Sequence, residues 1–323
     1  LLNFRRLPCV LVSFLSLVMV AGPARADFPD RPIHFIVPFA AGTATDQLAR
    51  ALGQAISAEV RQQVIVDNKP GANGFIGAEA AARAAADGYT VLIATNTTHA
   101  AGEHLYRKLP FDPVRDFAPV TGLGKGGQFL VVNSSSSVNS VKELVAMAKS
   151  QPGKLSFGSG SSSSRVAGEL FQQMAGIQLL HVPYKSNTFA VTDLLGGQIQ
   201  MMITDSATGL PHIRSGKLRA LGYSARTRSP LLSSVPTIDE AGVRGYDISY
   251  WFAAYAPART PPAILKRLNE LFAAAVKNPA AASFYANTGT EVFITSPEEL
   301  SRFQLSEAKK WGDIIRRAGI EKE

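Results

Sequence analysis

The feature that most constrains the fold is a repeated change of hydrophobic period. Short apolar runs at Ile33 to Val37, Val64 to Val66, Thr90 to Ala94 and Phe129 to Val132 alternate with stretches of helical period, roughly ten to fifteen residues each. A strand, a covering helix and another strand form the unit of a parallel sheet buried on both faces, so the chain reads as α/β. Helical patterns fall at Asp46 to Ala58, Gly74 to Ala86, Val141 to Lys149, Arg165 to Met174 and Ala190 to Leu195. The last third is more helical. Thr260, as a cap, and Pro261 open one helix; Ser296, Pro297 and Glu299 form a capping box that opens another, which stops at Gly319. The segments best suited to join two units are Gly122 to Gly127 and Lys217 to Ser224.

A chain of 323 residues with 46% hydrophobic and 18% charged content can bury two cores at about 150 residues each. Its single cysteine, Cys9, excludes an internal disulfide and a multi-thiolate zinc site. The formal charge is +8, but the cations are scattered, which describes a solvated basic surface rather than a nucleic-acid footprint. Residues 1–26 read as an export signal: Arg5 and Arg6, the apolar stretch Val10 to Val20, then Ala24, Arg25 and Ala26 as a cleavage site. Its removal would take Cys9 and lower the charge to +5. A soluble, exported, periplasmic protein without lipid is expected.

Three strand-to-helix junctions share one chemistry. The first runs from Phe39 and Ala40 through Gly42, Thr43 and Thr45 to Asp46; the second is Gly71, Ala72, Asn73, Gly74; the third is Ser159, Gly160 and Ser161, Ser162, Ser163 before Arg165. The first amides of a helix have no intrahelical partner and sit at the positive end of its dipole, so small residues there make a site for an anion. Such loops lie at the carboxyl ends of strands, where α/β proteins bind ligands. Tyr184 stands at a loop entry and can line an apolar part of a cleft, as can Tyr250, Trp251 and Phe252; Asp205 ends a strand, where it can accept hydrogen bonds or cap the next helix.

Other patterns fail on context. Gly122, Gly124 and Gly127 have dinucleotide-loop spacing, but a strand-like run follows instead of a helix. The five histidines lack metal-ligand spacing, and Gly158-Ser159-Gly160 is not a hydrolase elbow. No metal and no cofactor are expected. An exported serine hydrolase using Ser159 to Ser164 remains the enzymatic alternative, and it needs a histidine beside one of those serines.

The segments FPDRPIHFIVPFAAGTATDQLAR from Phe28, DNKPGANG from Asp67, LYRKLPFDPVRDFAPV from Leu105, HVPYK from His181, DLLGGQIQ from Asp193, IRSGKLRALGYSARTRSP from Ile213, VPTIDEAG from Val235 and YAPARTPP from Tyr255 follow one another along the chain. Together they resemble the Bug family, the periplasmic solute-binding proteins of tripartite tricarboxylate transporters. The resemblance implies a type II periplasmic binding protein fold, two α/β lobes with a ligand cleft, with residues 27–125 plus 222–323 in lobe 1 and 126–221 in lobe 2. It also implies a monomeric receptor, not an enzyme, that captures a small carboxylate through the three loops, with Asp205 helping to select it, and delivers it to a membrane permease. A sensing subunit for a membrane kinase would use the same surfaces. The chain departs from the family pattern at Thr43, where glycine is usual, at Arg165, where histidine is usual, and at Ser186 and Phe189 after HVPYK. An inward Arg165 would pair with a second carboxylate and favour a diacid.

Overall fold

The computed structural model describes residues 28–323; the expected export signal, with Cys9, lies outside the described residues. In chain order the strands are β1 (Ile33–Val37), β2 (Val64–Asn68), β3 (Thr90–Thr95), β4 (Phe117–Gly126), β5 (Gln128–Asn133), β6 (Ser156–Ser159), β7 (Leu180–Pro183), β8 (Met201–Asp205), β9 (Leu218–Tyr223), β10 (Tyr250–Pro257) and β11 (Glu291–Val292). The α-helices are α1 (Ala44–Val60), α2 (Phe75–Ala82), α3 (Gly102–Leu105), α4 (Val141–Ser150), α5 (Ser162–Ala175), α6 (Asn187–Leu195), α7 (Ser206–Arg214), α8 (Pro262–Ala275), α9 (Pro279–Thr288) and α10 (Pro297–Arg317).

They build a six-stranded sheet, β11-β4-β10-β3-β1-β2, and a five-stranded sheet, β7-β6-β8-β5-β9. Neither is wholly parallel, in contrast to the parallel sheets that the alternation of strand and helix predicts. β1 pairs in parallel with β2 and β3, but β10 runs antiparallel to both β3 and β4. In the second sheet β6 pairs in parallel with β7 and β8, while β5 is antiparallel to β8 and β9. The antiparallel strands are the crossing ones. Gly127 alone separates β4 from β5, so one extended run leaves the first sheet and enters the second without a helix to reverse it. The return comes between β9 and β10, so a boundary after residue 221 falls inside β9 and the expected strand Lys217 to Ser224 belongs to the second sheet.

Glycine is required at this crossing by close approach. A Cβ on Gly126 would lie 2.6 Å from the Tyr250 hydroxyl, and one on Gly127 would lie 2.5 Å from the Tyr223 ring. Gly122 and Gly124 meet the strand β11 region in the same way, with a Cβ 2.3 Å from the Phe293 carbonyl oxygen and 2.7 Å from Thr290. The dinucleotide-like spacing is therefore a strand packed tightly against aromatic and backbone neighbours.

Several helix ends depart from expectation by a residue or more. The second helix stops at Ala82 rather than Ala86. Thr260 does not cap α8; its hydroxyl donates to the Pro257 carbonyl at 2.8 Å and Pro261 holds the cap position. At α10 the capping box forms in full, with Ser296 Oγ accepting from the Glu299 amide at 3.1 Å and Glu299 accepting from the Ser296 amide at 2.8 Å. α10 then packs Trp311, Ile314 and Ile315 into a cluster that reaches Trp251 and Tyr255 of the first sheet, Leu130 and Phe157 of the second, and Leu170 of α5. Glu307 lies between two indoles, accepting from Trp251 Nε1 at 3.1 Å and Trp311 Nε1 at 3.2 Å. No α-helix among the described residues is long and apolar enough to cross a membrane.

Candidate functional site

The two sheets point strand ends at each other across a small cavity of about 50 Å³. That is room for roughly three to five waters at about 10–15 Å³ per water centre. The first sheet contributes Phe39, Thr43, Ala44 and Thr45 after β1, Thr95 at the end of β3 with Asn96 and Thr97 beyond it, and Tyr250 and Phe252 from β10; the second contributes Gln128, Gly160, Ser161, Ser163, Asn187 and Asp205. Alternation along β10 explains why Tyr250 and Phe252 line the cavity while Trp251 faces α10.

Two helices begin at this cavity. Thr43, the residue before α1, makes no side-chain cap, and the amides of Ala44, Thr45 and Asp46 have no hydrogen-bond partner among the described residues. Across from it, Ser161 caps α5 by accepting from the Ser164 amide at 3.2 Å. Ser163 Oγ bridges the lobes, accepting from Asn96 Nδ2 at 2.6 Å and lying 3.3 Å from Thr97 Oγ1. No lysine or arginine lines the cavity. Unpaired amides, hydroxyls and two converging helix dipoles are what it offers an anion.

Asp46 is spent within the protein. Burial pushes its carboxyl up, but hydrogen bonds from Arg50, the Gly42 amide and Asn68 outweigh that and hold it below the usual carboxylate range. Gly42 N–H to Asp46 Oδ2 is 2.8 Å, which fixes the loop rather than presenting either group to a ligand. Asp205 lines the cavity, but its oxygens are also taken. Oδ1 accepts from the Thr208 amide at 2.9 Å, and Oδ2 accepts from Thr208 Oγ1 at 3.1 Å and Asn187 Nδ2 at 3.2 Å. Asn187 Oδ1 in turn accepts from Gly160 N–H at 2.9 Å. This chain of bonds holds the serine loop in place.

A second, wider chamber of about 370 Å³ opens beside the first, lined by Gly71, Ala72, Asn73 and Tyr106 on one side and Ser159, Arg165, His181, Pro183, Tyr184 and Lys185 on the other, with Glu323 at its edge. Ser161 lines both spaces. Ser159 Oγ lies 2.7 Å from His181 Nε2. Burial, and then the charge of Arg165, push that histidine down to about 4. Tyr184 donates to Asp193 at 2.8 Å, and burial with this bond pushes its hydroxyl up to about 12. Arg165 does face inward, and its Nη1 meets Glu323 Oε1 at 2.6 Å.

The residues singled out from the sequence therefore divide. Phe39, Thr43, Thr45, Ser161, Ser163 and Asp205 line the inner cavity; Gly71, Ala72, Asn73, Ser159, Arg165 and Tyr184 line the outer chamber with Ser161. Ala40, Gly42, Asp46, Gly74 and Ser162 line neither. Gly42 and Asp46 build the first loop, Gly74 packs under Pro38 and Thr98, and Ser162 is 1% exposed in the base of α5. Sequence reasoning missed Thr95, Asn96, Thr97, Gln128 and Asn187. The polar run Thr95 to Thr98 directly after an apolar strand was the available signal for the first three.

Residues 48–320 match the family described as the tripartite tricarboxylate transporter family receptor. The chain is 36% identical over 322 residues to protein BugT of Bordetella pertussis, covering 98% of this chain and 99% of that protein. Among solved structures, R. palustris Rpa4515 with adipate superposes with a TM-score of 0.89 at 34% identity, covering 92% of this chain and 100% of that one. MatC from Rhodopseudomonas palustris with bound malate gives 0.84 at 27% identity, over 89% and 100% of the two chains. The two-lobed arrangement, and a profile match across most of the described residues, place this chain in the tripartite tricarboxylate transporter receptor family.

Proposed function

We propose that the protein captures a small carboxylate in the inner cavity and delivers it, from the periplasm and as a monomer, to the membrane permease of a tripartite tricarboxylate-type transporter. The observation that carries this reading is the convergence of two helix starts, α1 and α5, on a cavity with unpartnered amides and no lining lysine or arginine. An anion held by amides and hydroxyls is bound without a covalent step and released when the lobes part. The relatives solved with adipate and with malate hold small dicarboxylic acids, which favours that class here. The first sheet binds through Ala44 and Thr45, the second through Ser161 and Ser163, so a bound anion draws the lobes together.

The Ser159–His181 contact favours a hydrolase by geometry alone. Its chemistry argues the other way. A histidine held near 4 is a poor base for a serine hydroxyl, since efficient general bases sit near the working pH. His181 also has no carboxylate orienting Nδ1 among the described residues.

Calorimetric titration and thermal unfolding of protein freed of carried-over ligand, against a panel of small mono- and dicarboxylates, test the reading. At one hundred times Kd a ligand adds about 2.7 kcal/mol of stability. For a chain of this size that raises Tm by roughly 4 °C, at about 2.1 cal/mol/K of unfolding entropy per residue. A panel in which no acid binds or shifts Tm overturns it, as does ester turnover lost in Ser159→Ala.

A further inference from the structure

The outer chamber differs in kind from the inner cavity. Its wall carries the cations Arg165 and Lys185, and it adjoins the inner cavity at Ser161. The Arg165 side chain is 18% exposed, and its Nε is buried with no hydrogen-bond partner among the described residues. A guanidinium presents a planar fork of donors matched to the two oxygens of a carboxylate. Here Glu323 engages one arm, Nη1, with one of its oxygens.

Glu323 reaches this position from the other lobe. Its amide donates to the Leu105 carbonyl at 2.9 Å and its carbonyl accepts from the Arg107 amide at 2.8 Å, so its backbone is pinned to the end of α3. A first-lobe carboxylate is thus offered to a second-lobe guanidinium. The Glu323 side chain is 56% exposed, and a pair with one exposed partner is weak and readily exchanged.

We propose that the Arg165 chamber is a second anion subsite, that the side chain of Glu323 occupies it in the unliganded chain, and that a ligand with two carboxylates binds by displacing Glu323. The inference rests on the inner cavity being a carboxylate site: one carboxylate sits at the starts of α1 and α5, the other takes the guanidinium fork. A buried carboxylate can engage two arms of Arg165 where the tethered Glu323 engages one. The ligand class is therefore a short linear diacid, and Glu323 is an internal competitor that raises the threshold for it. His181, neutral at pH 7, leaves Arg165 and Lys185 as the charges a ligand meets on that wall.

Matched acids separate the outcomes. Calorimetric titration with butanoate against butanedioate, and pentanoate against pentanedioate, gives the ratio of diacid to monoacid affinity for the full chain and for R165Q, R165K and E323Q. The ratio is expected to fall roughly 10- to 100-fold in R165Q, the range for charge-assisted hydrogen bonds. R165K, which keeps the charge and loses the fork, should lie between. In E323Q the ratio should rise about two- to fivefold, the worth of an exposed pair. If the Arg165 variants weaken mono- and diacids by the same factor, the pair is only a latch between lobes and the proposal fails. Equal affinity of the unaltered chain for mono- and diacids also overturns it, while leaving the inner carboxylate site standing. Loss of all acid binding in the unaltered chain removes both. Should R165Q not fold, R165K and E323Q carry the same comparison.

Discussion

His99 is 1% exposed, its ring 4.2 Å from the Tyr255 ring and 4.7 Å from that of Phe117. Nδ1 lies 3.0 Å from Thr98 Oγ1, while Nε2 has no partner among the described residues. Burial pushes the imidazole down to about 3. The unfolded chain takes up a proton near 6.5 and the folded one does not until about 3, so between those values the unfolded state binds more protons. Stability is therefore full above pH 6.5 and falls as pH drops toward 3, by about 1.4 kcal/mol per pH unit for this one group. Urea denaturation at pH 7, 6, 5 and 4.5 should show that slope, and His99→Phe should flatten it by about one proton. An unchanged slope in the variant would place the acid sensitivity elsewhere. At this scale the sequence was readable where a residue acts through its own loop. Thr45 and Ser161 follow apolar strands, and an unpaired amide at a helix start is a local property. Asn96 and Asn187 were not readable, because each works through a partner distant in sequence: Asn96 bonds Ser163, 67 positions away, and Asn187 bonds Asp205 and Gly160.

Among the elements, the β4–β5 run shows how a local pattern misleads. Gly122, Gly124 and Gly127 serve close packing, and only the neighbours Phe293, Thr290 and Tyr223, all remote in sequence, reveal it. Gly127 N–H also donates to Tyr223 Oη at 2.9 Å. A methyl at this position would meet the tyrosine ring at 2.5 Å. Gly127→Ala is therefore expected to cost roughly 1–3 kcal/mol by overpacking. Chemical denaturation measures it, and the cost of Gly127→Ala should be smaller when the change is made in a Tyr223→Leu background; an undiminished cost in that background would refute the steric account. The capping box of α10 was legible to the residue, because the side chains of Ser296 and Glu299 each accept from the other's backbone amide, with Pro297 at the first helical position between them. The antiparallel crossings were not, since strand direction is set by where the chain must travel and not by its period.

For the whole molecule, one buried cluster runs from Leu92 and Trp251 through Trp311 of α10 to Leu130 and Phe157, crossing both sheets. Of two further clusters, the one around Phe35 and Phe272 lies in the first lobe apart from Ala207 of α7, and the one around Phe129 and Met202 lies in the second. The shared cluster couples the lobes, so heating should unfold them in one transition with equal calorimetric and van't Hoff enthalpies. Two resolved transitions would mean that the lobes melt separately and that the shared cluster contributes little. The order of the first sheet, β11-β4-β10-β3-β1-β2, has a further effect on how the chain is made. Every strand of the second sheet has left the ribosome once Tyr223 emerges, whereas the first sheet lacks its middle strand until Tyr250–Pro257 follows. The second sheet can therefore pair from one continuous stretch of chain, whereas the first must wait for β10 to return, and α10, later still, closes the core that both share.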